Sequence, residues 1–229
     1  MDSFLFLTYC LNFINCYNKK MANLSFFYSS MNSGKTLDLI KTFYNFVKID
    51  SEGNPITDNV ICLTSAADNR FGQGVIASRP LQTKLEAIPV SENDELYPIL
   101  INEVIPNRKN PTELILVDEA QFFTAKQIRD LARIVDNLNI NVICYGLRTT
   151  FKGTLFSGSA ELLGIADKIR EIKNRCPCGS KATMNLLFDS NKTPISDGND
   201  INIGDESQYI SLCRKHFFDS LKNQKLSVS

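Results

Sequence analysis

The stretch "SFFYSSMNSGKTLDLI", Ser25 to Ile40, constrains this chain more than any other. A short apolar run, "LSFFYS", leads into Gly34-Lys35-Thr36. Leu37, Ile40, Tyr44 and Val47 then follow at helical spacing. Strand, loop and helix in this order make a phosphate-binding loop, in which successive backbone N–H groups point at phosphate oxygens where the helix begins. Lys35 is placed to reach the terminal phosphates, and the Thr36 hydroxyl to hold magnesium. The pattern G-x-x-x-x-G-K-[ST] opens with glycine, but here that place is Ser29. The first glycine mainly eases the turn out of the strand, so serine serves if its φ stays negative. No proline interrupts Ser30 to Thr36, so every amide in the loop keeps its donor.

Further strand-like runs follow, "VICLTS", "ELILVDEAQ" and "INVICYGL". Thr124 and Gln127 form a capping box ahead of a helix lined by Ile128, Leu131, Ala132 and Val135. The polar "SEGNPITDN" reads as a connection, and Ala66 to Arg79, with two glycines, as a loop. Strands alternating with helices predict an α/β, P-loop NTPase-like fold: a mostly parallel sheet flanked by helices, with ligands at the carboxyl ends of the strands. That domain is expected over 21–170. A small module with paired cysteines is expected over 171–229.

The acidic strand end is the second half of the site. In "LILVDEAQFF", Asp118 continues the strand and fits a magnesium-holding role. Glu119 reaches further and suits a general base that takes the proton from an attacking hydroxyl. The third constellation is Cys176-Pro-Cys178 with Cys213-Arg-Lys-His216, three thiols and the chain's single histidine. Cys₃His suits a closed tetrahedral zinc site, which leaves no position for water and is therefore structural. It would pin the base of the segment between Cys178 and Cys213.

Charge narrows the partner class. Lys+Arg and Asp+Glu balance at 25 each, with no basic stripe, so a small molecule is favoured over nucleic acid. Seven cysteines form no disulfide framework, and Cys62 and Cys144 sit in apolar runs as buried thiols. That pattern suits a reducing compartment, the cytoplasm. Residues 1–20, "MDSFLFLTYCLNFINCYNKK", carry Asp2 in place of a basic start, lack a small-x-small cleavage site and are short for a membrane span. Two readings stay open for them, a loosely docked arm or an extended reading frame ahead of a natural start at Met21. The second is favoured.

Together these residues resemble the thymidine kinases of the small cytosolic class, closest to the bacterial and phage branch. "FFYSSMNSGKT" resembles that branch's phosphate loop, in which serine or alanine commonly replaces the first glycine. "VDEAQFF" resembles its acidic strand, "CYGLRTTFKGTLFSGS" the segment after its fourth strand, "CPCG" and "CRKH" its zinc ligands, and "INIGDESQYISLC" its substrate loop. The likeness runs from Met21 to about Phe217 and leaves residues 1–20 without a counterpart.

The resemblance implies transfer of the γ-phosphate of ATP to the 5′-hydroxyl of thymidine, with Mg²⁺ and a structural Zn²⁺. ATP would be held by Ser29, Ser30, Met31, Asn32, Ser33, Gly34, Lys35 and Thr36, by Asp118, Glu119, Ala120 and Gln121, and by Asp68 and Arg70. Met31 and Phe151 would flank thymine. Asp200, Ile201, Asn202, Ile203 and Gly204 would hold its edge, with Tyr209 nearby. The resemblance also implies a homotetramer, with no nucleic acid or membrane partner. Two rivals compete: a helicase-like ATPase, suggested by "DEAQ", and a zinc-bearing binding module with a decorative loop. The first lacks room for a second motor domain.

Overall fold

The computed structural model describes residues 21–68, 70–78, 82–198 and 208–225. Six strands form one all-parallel sheet: β1 (Leu24–Ser29), β2 (Val60–Ser65), β5 (Ile88–Val90), β6 (Leu114–Val117), β7 (Asn141–Leu147) and β8 (Lys168–Glu171). Their order is β5-β2-β6-β7-β1-β8. β2 and β6 are buried at every position, as strands covered on both faces must be.

The period of two divides each strand between two cores. Ile61, Leu63, Ile115 and Val117 face one side. There they meet Ile128, Leu131 and Ile134 of α3 (Ala125–Leu138) and Leu162 of α4 (Ser157–Ile165). Val60, Cys62, Leu114 and Leu116 face the other side, against Leu39 and Ile40 of α1 (Lys35–Phe46). Cys62 and Cys144 are buried free thiols. Burial pushes the Cys62 thiol up to about 12.

The expected capping box forms in both directions. Thr124 Oγ1 accepts from the Gln127 amide, and Gln127 Oε1 accepts from the Thr124 amide. Two expectations need correction, those for Ala66–Arg79 and for Leu37, and further elements add to the expected set. The sheet gains two edge strands, β5 and β8, too short or too polar to show a strand pattern. The expected loop Ala66–Arg79 contains β3 (Val75–Ser78), paired antiparallel with β4 (Thr83–Glu86). At four residues each, these strands sit at the short limit at which alternation is legible. In α1, Leu39 and Ile40 take the buried places, whereas Leu37 is 39% exposed. The helix starts directly at Lys35, so position 37 turns to the cavity mouth rather than the sheet. Between β5 and β6, α2 (Leu96–Ile99) runs on as a five-residue π segment, Leu100–Val104, which the sequence did not signal.

After β8 a smaller sheet follows, in the antiparallel order β10 (Pro194–Ile195), β9 (Met184–Phe188), β11 (Tyr209–Leu212). It packs with α5 (Arg214–Asn223) around Cys176, Met184, Leu186, Leu212 and Phe217. Among the described residues, no helix is long and apolar enough to cross a membrane.

Candidate functional site

Three adjacent strands deliver the site. β6, β7 and β1 lie side by side and parallel, so their carboxyl ends open on the same edge. From β1 comes the phosphate loop, from β6 the acidic pair, and from β7 the segment Leu147–Phe151. They border a cavity of about 340 Å³.

The loop turns without its first glycine. Its positive φ angles fall at Asn32 (56°) and Gly34 (85°), not at Ser29. Gly34 is the N-cap of α1, and a left-handed φ of this size is where glycine is favoured. Ser29 instead ties the loop's entry down, its hydroxyl donating to the Ile172 carbonyl beyond β8. Lys35 is buried, and its Nζ donates to the Ser30 carbonyl at 2.8 Å. The Thr36 hydroxyl meets Asp118 Oδ2 at 3.4 Å. A hydroxyl beside a carboxylate is the oxygen donor set that suits magnesium.

Asp118 follows the last residue of β6, and its amide is held by the Leu63 carbonyl at 2.9 Å. Burial first, and then the neighbouring Glu119 charge, push its carboxyl up to about 7, with Lys35 acting in the opposite sense. Glu119 takes a left-handed conformation, φ 50° and ψ 38°, at the start of the 3₁₀ turn Ala120–Phe122. That break in direction lets the chain leave the strand and aims the carboxylate into the cavity. Both Glu119 oxygens are engaged. Arg70 Nη2 donates to Oε1 at 2.8 Å, and Gln121 Nε2 donates to Oε2. Arg70 also binds Asp68 through Nε at 2.7 Å and Nη2 at 2.8 Å. Gln121 is fixed in turn by the Leu147 amide, which donates to its Oε1 at 2.9 Å.

Of the residues expected to hold ATP, the structure brings Met31 to Thr36, Asp68, Arg70, Asp118, Glu119 and Gln121 to the cavity. Ser29, Ser30 and Ala120 are buried behind it. Phe151 and Tyr209 line it too, and burial raises the Tyr209 hydroxyl above its ordinary value. Asp200 to Gly204 lie outside the described residues, as do residues 1–20. Sequence reasoning missed Leu147, Phe156 and Asn185 as lining residues. Phe156 packs edge-on against Phe122, centroids 5.7 Å apart, and like Phe151 gives the cavity an apolar lining residue. Asn185 did carry a signal, being a polar residue inside the apolar strand "MNLLF".

Cys176, Cys178, Cys213 and His216 converge as expected, with their ligand atoms within 4.8 Å of one another. The Cys178 and Cys213 sulfurs are 4.0 Å apart, and His216 Nδ1 is 3.5 and 3.4 Å from the sulfurs of Cys176 and Cys213. Tetrahedral zinc, with Zn–S about 2.3 Å and Zn–N about 2.0–2.1 Å, separates its sulfurs by ~3.8 Å and sulfur from nitrogen by ~3.5 Å. The donor set and spacing therefore fit that ion. The Ser180 hydroxyl and amide beside Cys178 bring its thiol down to about 6, toward the thiolate form that metals bind. Burial moves Cys176 the other way.

Comparison with known proteins agrees with this geometry. The family model described as thymidine kinase matches residues 22–217. A thymidine kinase of Zymomonas mobilis is 44% identical over 203 residues, covering 89% of this chain and all of the relative. Those of Rhodopirellula baltica and Streptococcus pyogenes are each 40% identical, over 88% and 87% of this chain and 90% and 98% of theirs. Among solved structures, the Legionella pneumophila ATPase DotB matches 67% of this chain and 39% of its own at 14% identity, with a TM-score of 0.32, too slight a likeness to carry an argument.

Proposed function

The chain belongs to the thymidine kinase family and phosphorylates thymidine with ATP; from that premise we propose how its residues divide the work. The amides of Asn32 to Thr36 cradle the ATP phosphates, with Lys35 swinging from the Ser30 carbonyl to the γ-phosphate. Thr36 and Asp118 hold Mg²⁺, which when bound neutralises phosphate charge. Thymine lies between Met31 and the wall of Phe151 and Phe156, with Tyr209 beside it and the 200–204 segment at its edge. This places the 5′-hydroxyl toward Glu119.

Glu119 takes the hydroxyl proton as the oxygen attacks the γ-phosphorus and the bond to the β-phosphate oxygen breaks, giving ADP and dTMP. To reach the hydroxyl, Glu119 exchanges one of its two present donors for substrate. The bond given up is the one from Arg70, which keeps its two bonds to Asp68, while Gln121 stays anchored on the Leu147 amide. Once released, Arg70 faces the phosphates and offsets charge there. Cys176, Cys178, Cys213 and His216 bind Zn²⁺ as a structural ion, and the two units, 21–170 and 171–229, meet at the nucleoside. A homotetramer in the cytoplasm completes the proposal.

The single observation that carries this reading is the Arg70–Glu119–Gln121 chain, which sets one carboxylate facing the phosphate loop across the cavity. Thymidine-dependent ADP release tests it. A helicase-like ATPase would respond to nucleic acid instead, and a binding module to neither.

A further inference from the structure

Met31 stands apart from the rest of the phosphate loop, because its backbone N–H and C=O are both engaged by the small C-terminal module. Its N–H donates to Asn185 Oδ1 at 2.8 Å. Its carbonyl accepts from Asn174 Nδ2 and from Ser211 Oγ, both at 2.8 Å. Asn174 Nδ2 also reaches Ser30 Oγ at 2.9 Å.

The placement of these three side chains is a consequence of the small sheet. Asn185 on β9 and Ser211 on β11 are a directly opposed antiparallel pair, so both side chains stand on the same face of one rung. That rung offers one acceptor and one donor, matching the N–H and C=O of a single residue. Asn174 and Ser211 also each precede a cysteine of the Cys₃His cluster by two residues, Cys176 and Cys213. The knot that gathers the cysteines therefore holds both donors in place.

We infer that Asn174, Asn185 and Ser211 act as positioning residues that fix Met31 as a wall of the nucleoside subsite, dividing the loop between its two substrates. The Met31 amide is committed to Asn185 and is withdrawn from phosphate binding, so the phosphates are served by Asn32 to Thr36. Met31 lines the cavity, and the direction of its side chain is set by the two peptide planes that flank its Cα, each gripped by the small module at one polar atom. Nucleoside affinity thus depends on side chains that need not touch the nucleoside. The inference rests on the reading that Met31 flanks thymine.

Steady-state kinetics of the full-length enzyme, with both substrates varied, test it. Asn174→Ala with Ser211→Ala strips both donors from the Met31 carbonyl. The KM for thymidine is expected to rise about 10-fold, the scale of losing two hydrogen bonds that orient a binding group. The KM for ATP should stay within about 2-fold and kcat at saturation within about 3-fold, since positioning lost in the ground state is recovered by substrate excess. Ser211→Thr, which keeps the hydroxyl, should remain near the parent. Zinc content per chain, measured on each variant, should match the parent, so that metal loss is not the cause.

A thymidine KM within 2-fold of the parent overturns the inference, as does an equal rise in both KM values, which would make these residues struts of the whole loop. If the double variant does not fold, Ser211→Ala alone decides, with about a 3-fold rise expected and no rise overturning. Met31→Ala separates the premise from the inference. If it raises the thymidine KM while the clamp variants do not, the subsite reading stands and the clamp falls. If Met31→Ala itself has no effect, the premise fails and takes the inference with it.

Discussion

Replacing Glu119 by Gln tests the chemical step most directly, and the structure says why the change is larger than the loss of one charge. The carboxylate accepts from Arg70 Nη2 at 2.8 Å on one oxygen and from Gln121 Nε2 on the other. A glutamine at 119 has only one oxygen. Turned toward Arg70, it presents its own amide NH₂ to the NH₂ of Gln121. Turned the other way, it presents that NH₂ to a guanidinium. Gln121 cannot flip to relieve the clash, because its Oε1 already accepts from the Leu147 amide at 2.9 Å. One of the two orienting bonds is therefore lost in either orientation, together with the group that accepts the substrate proton.

Loss of a positioned general base lowers kcat by about 10²–10⁴-fold, which is roughly 3–5 kcal/mol on the barrier at 1.36 kcal/mol per decade. The KM for ATP should change little, since in the proposed division of work the Asn32–Thr36 amides and Lys35 carry most of the phosphate binding. Thymidine-dependent ADP release under saturating substrates is the assay, with the melting temperature as a check on folding. A folded Glu119→Gln enzyme whose kcat stays within 10-fold of the parent would refute the assignment of Glu119 as the base.

Lys35→Ala removes the cation aimed at the transferring phosphoryl group and should lower turnover at least ~100-fold; near-normal turnover in a folded variant would sink the phosphate-loop assignment. Protein purified without chelator should carry one zinc per chain by metal analysis, and Cys178→Ser should lower the melting temperature because the metal's binding energy contributes to folding. Absence of zinc would overturn the metal site. Gly158→Ala should lower the melting temperature by about 2–12 °C, from ~1–3 kcal/mol of overpacking at ~2–4 °C per kcal/mol. Its added Cβ would sit 2.5 Å from the Phe123 carbonyl oxygen and 2.7 Å from that of Ala120, both backbone atoms that cannot rotate aside. An unchanged melting temperature would show that the 3₁₀ turn after Glu119 is less tightly packed against α4 than described.

The elements legible in the sequence were those whose reason is local. Thr124 and Gln127 cap α3 because both bonds of the box lie within one turn, so a spacing of three positions suffices to specify them. β2 and β6 showed as continuous apolar runs because both faces are covered. β3, β4, β5 and β8 escaped because three or four residues at a sheet edge or in a hairpin are decided by what they pair with. The capture of the Met31 amide by Asn185 was equally invisible, since 154 residues separate the two.

By itself, then, the sequence determined the chemistry on offer: a proline-free loop ending in Gly34-Lys35-Thr36, two adjacent acids after an apolar strand, and two short ligand pairs that together supply three thiols and one imidazole. The loop, the acid pair and each of the two ligand pairs are contiguous or nearly contiguous patterns whose local geometry neighbouring residues enforce. Only the tertiary structure decided how these parts face one another. The parallel order β6-β7-β1 opens their ends on a single cavity. There Arg70 reaches across 49 residues to Glu119, and the rung of Asn185 and Ser211 closes on Met31. Such contacts are made by side chains whose sequence separation bears no relation to their distance in space, so no local pattern can carry them.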